Sequence, residues 1–357
     1  MKFIIFGYPK TGKTTFFNLL TGATIEVKKF EDKEEAPHVR TCSVPDNRLD
    51  EISKLFPGKK KIYSSIDVMD IAGFSWGQVK SSVYLNLLRT ADGLTHVVRA
   101  FEDPEIIHPQ GSVDAKRDIK NMEEELILSD LVIVESRLEK IEHDLKRKKD
   151  PEEEKEKELL EKIKGALDKG IAIREIELSA DEERKIRGFT FLTQKPLVHL
   201  INLDEKNIHL LESPENFCPV SKKGVKCLCF CGKIEKEISE LEDEERELFL
   251  KEYGLKEFSI NRFLKVSYEL LDLISFFTIG KDEVKAWTVK RGTSAYEGAG
   301  IIHTDIQKGF IKAEVIPWEN LINAGSLKDA KEKGMVRLEG KDYKIQDGDV
   351  IYFRFGK

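Results

Sequence analysis

No stretch of this chain approaches the roughly 18 consecutive apolar residues that a membrane-spanning helix needs. No secretory signal is readable either, since Met1-Lys2 leads into only a short apolar stretch before Gly7, Pro9 and Lys10. Cysteine is scarce: there are five, an odd number, with four crowded into positions 218–231, which is not a secreted disulfide framework. Excess positive charge is also lacking. Lys plus Arg is 59 against 65 for Asp plus Glu, a formal net charge of -6. That disfavours a globally basic nucleic-acid binder, and DNA is not an expected partner, although a local basic face remains open. These absences point to a soluble cytoplasmic protein with no membrane partner. What is present, 357 residues with 40% hydrophobic and 35% charged, is enough for real cores in two or three domains.

The N-terminal segment reads strand, loop, helix. Phe3 to Phe6 is a short apolar run suited to a buried parallel strand. Gly7 to Lys13 is a loop, Thr14 to Leu20 is helical, and Gly22 suits the position just past a helix end. Further strands are expected at Ser65 to Met69, His96 to Phe101, Leu197 to Leu203 and Val225 to Phe230. With helices between several of them, the pattern predicts a doubly wound parallel α/β sheet. From Asp114 to Arg187 Glu and Lys dominate. Apolar residues recur at three and four spacing through Ile119, Met122 and Leu126, then Val134, Leu138, Ile141 and Leu145. After Pro151 the pattern resumes with Leu159, Leu160, Ile163 and Leu167. This spacing predicts an antiparallel coiled-coil hairpin turning at Lys148-Lys149-Asp150-Pro151. From about Leu273 short strands punctuated by Gly, Asn and Asp predict a separate sheet-rich module. The expected division is therefore a nucleotide-binding domain over 1–113 and 188–272, an inserted hairpin over 114–187, and a C-terminal module over 273–357.

Gly7-Tyr8-Pro9-Lys10-Thr11-Gly12-Lys13-Thr14 fits G-x-x-x-x-G-K-[ST] at every fixed position, between a strand and a helix as that motif requires. Glycines let the loop aim its N–H groups at phosphate oxygens, and the helix start adds its positive end. Lys13 brings a cation to the β- and γ-phosphates, and the Thr14 hydroxyl is a ligand for Mg²⁺. Lys10, Thr11, Gly12 and Thr15 complete the expected phosphate site. Asp70-Ile71-Ala72-Gly73 closes the next strand. Its carboxylate is placed to hold Mg²⁺ through water, and the Gly73 N–H to meet a γ-phosphate.

Together with His96 to Asp103, Asn202-Leu203-Asp204-Glu205, Phe276 to Gly280, Glu283 to Thr288, Ile302 to Asp305 and Glu339 to Tyr343, these residues resemble the YchF/Obg-like ATPase family, in the Obg-related branch of P-loop GTPases. The resemblance spans almost the whole chain. It implies a GTPase-like (OBG-type) domain, an inserted helical hairpin, a β-grasp-like TGS domain, and an Mg²⁺-dependent ATPase that contacts ribosomes or ribosomal RNA. It also implies ATP preference, with Asn202 and Leu203 lining the base pocket. Where related GTPases carry N-K-x-D, Lys is replaced by Leu203 and the Asp by Glu205, one methylene longer. That carboxylate is expected to sit less squarely against guanine.

Phe74 follows Gly73, where related GTPases place a water-orienting Gln. A phenyl ring cannot orient water, so the catalytic residue is unassigned and slow turnover without a partner is expected. The switch segment departs from the family as well. The family's Mg²⁺-holding Thr falls near Glu34 here, Thr41 has the wrong spacing, and Phe74 to Ser82 keeps only Gly77. Cys227, Cys229 and Cys231 alternate along one strand face. They span roughly 13 Å, awkward for a single metal ion. Buried small residues are the simpler account, with redox sensitivity the alternative. His303 with Asp305 lies far from the P-loop in sequence and is expected to be structural. The leading expectation is an ATP-hydrolysing switch associated with translation. A nucleotide-dependent binding module with little turnover, or a GTPase, are the other readings.

Overall fold

The computed structural model describes residues 1–25, 37–71, 82–218, 222–255 and 257–356. The chain runs β1 (Lys2–Phe6), α1 (Lys13–Thr21), β2 (His38–Val44), α2 (Asn47–Lys54), β3 (Lys60–Ile62), β4 (Ser64–Asp70), α3 (Ser82–Arg89) and β5 (Gly93–Ala100). There follow α4 (Ala115–Leu145), α5 (Pro151–Leu167), α6 (Ala180–Ile186), β6 (Leu197–Leu203), β7 (Val225–Phe230), α7 (Gly232–Ser239), α8 (Asp243–Glu252) and α9 (Ser259–Leu270). The C-terminal part holds β8 (Leu273–Ile279), β9 (Glu283–Lys290), α10 (Ala295–Ile302), α11 (Thr304–Lys308), β10 (Phe310–Pro317), α12 (Trp318–Ala324), α13 (Leu327–Glu332), β11 (Arg337–Glu339) and β12 (Asp349–Phe355). Among the described residues no helix is long and apolar enough to cross a membrane.

Two compact units result, Met1–Arg40 with Asp67–Leu270 and Thr41–Ile66 with Leu271–Lys357. The first is built on a sheet of order β2-β4-β1-β5-β6-β7, in which β4, β1, β5, β6 and β7 pair in parallel. Phe3 to Phe6 and Leu197 to Leu203 are buried along their whole lengths, as strands covered on both faces must be. The carboxyl ends of β1, β4 and β6 carry the P-loop, Asp70 and Asn202, the edge of an open α/β sheet where ligands bind.

The second unit has a sheet of order β11-β10-β12-β8-β9-β3. β12 pairs antiparallel to β10 and parallel to β8, and β3 pairs parallel to β9. Here packing departs from the sequence division. Residues 41–66 lie between the P-loop and Asp70 and read as part of the nucleotide-binding domain. Leu49 and Ile52 on α2 instead share an apolar cluster with Phe277, Val284, Ile316 and Leu321. Arg48 bridges Asp46 at 2.8 Å and Asp347 at 3.0 Å. The sequence pattern does not predict the strands β2, β3 and β8. β3 has only three residues, too few to show a period.

The periodic stripe on α4 serves two partners in turn. Met122 and Leu126 pack into the cluster holding Ile4, Phe6 and Leu94, and Ile119 into that of Ile201 and Cys229. Only from Ile127 onward does the stripe enter the cluster that holds α5, with Val134, Leu138 and Ile141 grouped with Leu159, Leu160, Ile163 and Leu167. The hairpin core therefore begins about two turns later than an unbroken a/d seam from Ile119 implies. Asp150 caps α5 by accepting from the Glu152 N–H at 2.9 Å, with Pro151 at the first helical position.

Asp130 fixes the hairpin to the segment that follows it. Its fully buried carboxyl accepts from the Leu192 N–H (3.0 Å), the Thr193 N–H (2.7 Å) and the Thr193 hydroxyl (2.8 Å), and Arg89 lies at 3.1 Å. Burial pushes its pKa up while these donors oppose the shift. Asp130→Ala leaves two buried N–H groups unpaired and is expected to cost about 3 kcal/mol. Asp130→Asn, which keeps an acceptor, is expected to cost less. Urea unfolding of the two variants checks the ranking, and equal midpoints would discount the carboxyl as an anchor.

Candidate functional site

The P-loop leaves β1 and winds around its own carbonyls. Lys13, almost fully buried, donates from Nζ to the Tyr8 carbonyl at 2.8 Å, and the Thr11 hydroxyl donates to the same oxygen at 3.1 Å. Lys10 sits at φ 60°, and Gly12, the residue before α1, at φ 98°. A Cβ on Gly12 would lie 2.2 Å from Asn202 Nδ2, so both the backbone angle and the close approach demand glycine. Lys13, Thr14 and Thr15 form the first turn of α1, where backbone N–H groups have no acceptor within the helix and suit an anion.

Asn202 at the end of β6 closes the other wall. Its amide donates to the Thr11 carbonyl (3.0 Å) and accepts from the Gly232 N–H (3.0 Å) at the start of α7. One side chain thus links the P-loop to the β7–α7 turn. Around it opens a cavity of about 970 Å³, bordered by Lys10, Gly12, Thr15, Asn202, Leu203 and Glu205. Leu203 is buried, while Glu205 is half-exposed and pairs with Lys233 at 3.3 Å. That ion pair raises the Lys233 pKa.

The Thr14 hydroxyl donates to Asp70 Oδ2 at 2.7 Å. A hydroxyl and a carboxylate in contact, both hard oxygen donors, fit the needs of Mg²⁺. Gly73 and Phe74, and with them Glu34 and Gly77, lie outside the described residues.

Several groups at the site carried no sequence signal strong enough to single them out. Arg99, buried at the end of β5, donates to the carbonyls of Phe101 (2.9 Å) and Ile106 (3.0 Å). It holds the loop whose Phe101, Glu102 and Asp103 border the cavity. His108 on that loop accepts from the Gln110 N–H at Nδ1 (3.2 Å), which puts its proton on Nε2, 3.0 Å from Asp118 Oδ2. Its ring meets the Tyr8 ring edge-on at 6.0 Å. Burial lowers the His108 pKa and raises that of Asp118, and burial together with Asp118 pushes the Tyr8 phenol up to about 12. A buried arginine closing an apolar strand was the one available clue.

The cysteines pack differently from a three-residue stripe. Cys218 and Cys227 form a disulfide with their Cα atoms 6.4 Å apart, within bridging reach. Cys229 is buried on β7, where burial pushes its thiol up to about 12, and Cys231 lies beyond the strand, just before α7. Among the described residues no group of three or more His, Cys, Asp or Glu is arranged to hold a metal ion. His303, exposed, accepts from the Asp305 N–H at 3.1 Å and caps α11.

Comparison with known proteins places this geometry. Residues 273–356 match a model for the C-terminal part of YchF GTPases, described as a protein of unknown function, and residues 2–148 match one described as a 50S ribosome-binding GTPase. The ribosome-binding ATPase YchF of Bacillus subtilis is 39% identical over 359 residues, covering 98% of each chain. The chain belongs to the YchF family. Obg-like ATPase 1 of Oryza sativa subsp. japonica is 34% identical, covering 99% of this chain and 92% of its own. The solved YchF GTPase of Schizosaccharomyces pombe superposes with a TM-score of 0.87 at 28% identity, over 99% of this chain and 97% of that one. The P-loop GTPase α/β fold of the first unit is thus that of a YchF protein.

In this YchF chain the Asn202 bridge carries the clearest expectation. Asn202→Ala unpairs the Thr11 carbonyl and the Gly232 N–H together. Nucleotide affinity, read by calorimetry, is expected to fall by about one to two decades. An unchanged affinity would mean that the two walls hold their positions without the amide.

Proposed function

We propose that the protein binds and hydrolyses ATP with Mg²⁺ and uses the nucleotide cycle to associate with ribosomes in the cytoplasm. The observation that carries this reading is the convergence of Lys13, the Thr14–Asp70 contact and the Asn202-bordered cavity at one sheet edge. It is supported by relatives named ribosome-binding ATPase. The phosphates meet the N–H groups of the P-loop and the first turn of α1, and Lys13 exchanges the Tyr8 carbonyl for phosphate oxygens. Thr14 directly and Asp70 through water would hold Mg²⁺, which would supply charge neutralisation at the phosphates. Asn202 keeps the pocket walls together, and Leu203 and Glu205 stand where guanine-specific proteins present Lys and Asp. Adenine needs no carboxylate for an N2 amine, so ATP is the better fit. Residues 273–357 are read as a TGS-like domain and 114–187 as the inserted hairpin.

Lys13→Ala tests the phosphate site. A buried charge-assisted contact is worth about 1.5–3 kcal/mol, so ATP affinity is expected to fall roughly 10- to 100-fold. Phosphate release with ATP and GTP at equal concentration then measures choice of base. Faster release from GTP would make the protein a GTPase. Tight ATP binding with no release would favour the binding-module reading that Phe74, in place of Gln, already suggests.

The charge of the hairpin narrows where RNA is met. Arg137 pairs bidentately with Glu156 (2.7 and 2.8 Å), Lys157 with Glu142 (3.1 Å) and Lys164 with Glu135 (2.9 Å). These cations are spent across the two helices. Lys146, Arg147, Lys148 and Lys149 at the turn are all exposed. Four adjacent cations at a hairpin tip suit ribosomal RNA phosphates. Replacing all four with Ser is expected to abolish salt-sensitive cosedimentation with ribosomes while leaving ATP binding intact. Retained cosedimentation would exclude the tip, and absence of the parent chain from ribosomal fractions with both ATP and ADP would remove the ribosomal role.

A further inference from the structure

A line of buried polar side chains runs through the first unit and takes no part in the chemistry described above. His96 on β5 and His199 on β6 are neighbours in register, both fully buried, with Nδ1 atoms 3.1 Å apart. His199 Nε2 lies 3.2 Å from Oε1 of Glu123 on α4. Glu123 also pairs with Lys222 and lies 3.8 Å from Arg174. At the other end the His96 ring packs on Phe6, centroids 5.3 Å apart. A Cβ on Gly7, the first P-loop residue, would lie 3.3 Å from His96 Cδ2. The line therefore reaches from the floor of the P-loop to α4, about one helical turn before Ile127, the first residue of α4 in the cluster that holds the hairpin core.

Hydrogen-bond bookkeeping gives this line a direction. The Glu123 carboxylate is held ionised, its pKa near the low end at about 2, with His199 and Lys222 among the causes set against its burial. An ionised carboxylate only accepts, so His199 donates from Nε2. A neutral His199 then accepts at Nδ1, and His96 donates from Nδ1. His96 Nε2 is left as a bare acceptor with no hydrogen-bond partner among the described residues. Burial lowers the pKa of both imidazoles. The charged groups that act on them are Glu123 and Lys13 for His96, and Glu123, Arg174 and Lys222 for His199. Both rings are thereby neutral at pH 7, with one proton between their Nδ1 atoms.

We propose that His96 and His199 are positioning residues for the nucleotide reaction: their single shared hydrogen bond, directed from His96 to His199 to Glu123, braces the first turn of the P-loop against the root of the hairpin helix. This rests on the ATPase reading for its effect on turnover but not for its geometry. An apolar core would fill the same space, yet it would leave the buried Glu123 without a donor from the sheet and Gly7 without a ring fixed in one orientation. Small displacements of a phosphate cradle cost rate more than binding.

Two measurements test the proposal. Nitrogen-15 NMR of the seven histidines in the whole protein reads the tautomers directly. With His96 and His199 assigned by substitution, His96 is expected to be protonated at Nδ1 only and His199 at Nε2 only, unchanged from pH 8 to 6. The reverse tautomer on either ring, or a cationic ring at pH 7, overturns the proposal whether or not the chain hydrolyses ATP. Turnover is the second readout. His199→Leu is expected to lower kcat roughly tenfold with KM for ATP nearly unchanged. His199→Gln donates to Glu123 and accepts from His96, keeping the direction of the line, and is expected to recover most of that loss. A purely structural role would lower the Tm of the Leu variant and leave kcat per folded molecule as in the parent, which would sink the positioning role. If the Leu variant fails to fold, the tautomers of the parent and the kcat of the Gln variant still decide.

Discussion

The two walls of the nucleotide site are joined by the carboxamide of Asn202. It is the group that touches both walls, holding the Thr11 carbonyl with its nitrogen and the Gly232 N–H with its oxygen. Neither contact forms unless β6 stands next to β7 in the register that pairs Asn202 with Phe230, and next to β5 in the register that pairs it with Arg99. The sheet order therefore does chemical work: it brings residues 11, 202 and 232, widely separated in the chain, to one point. The lack of a Cβ on Gly12 is what lets the amide approach so closely. A parallel sheet exposes its carboxyl edge to solvent, and this amide converts that edge from a crevice into a cavity with fixed walls.

Legibility followed locality. The P-loop lies within eight residues, its glycines and lysine are demanded by phosphate geometry, and the strand and helix beside it could be read directly. Leu197–Leu203 was legible for a related reason, since a strand buried on both faces is a nearly continuous apolar run. β3 was not, because three residues of strand acquire their meaning only from pairing with β9, more than two hundred residues away. The same blindness assigned α2 to the wrong neighbours. Its amphipathic face announces a partner but not which one, and Leu49 and Ile52 found Phe277 and Val284. At the site, Arg99 and His108 escaped because their roles depend on carbonyls and carboxylates brought near by folding, and a single buried cation in a sequence looks like any other.

The stripe on α4 shows how one periodic signal can hide a change of function. From Ile119 to Leu126 it is a domain helix packed on the sheet, and from Ile127 to Ile141 it is half of a hairpin. The spacing is the same, since both partners ask only for apolar residues at three and four. What marks the transition is polar: Glu123 turned into the sheet toward His199, and Asp130 turned toward the Leu192 and Thr193 amides. Burying two carboxyls within two turns of one helix costs free energy that only specific donors recover. That cost ties the helix to one register, where an all-apolar stripe would tolerate sliding.

The hairpin's charges complete this division of labour. Its helices are rich in Glu and Lys, and a chain of net charge -6 gives no global attraction to nucleic acid. Cross-helix pairs such as Arg137–Glu156 and Lys164–Glu135 neutralise the shaft. Opposite charges within a few ångströms cancel well inside the roughly 8–10 Å screening length of physiological salt, so the shaft presents little field to a distant polyanion. Four consecutive cations at the tip form no such cross-helix pair among the described residues and are all exposed, although acids lie beside them at Asp144, Asp150 and Glu152 to Glu154. Asp150 is moreover engaged in capping α5. Local charge order, rather than composition, thus decides where an acidic protein can meet RNA.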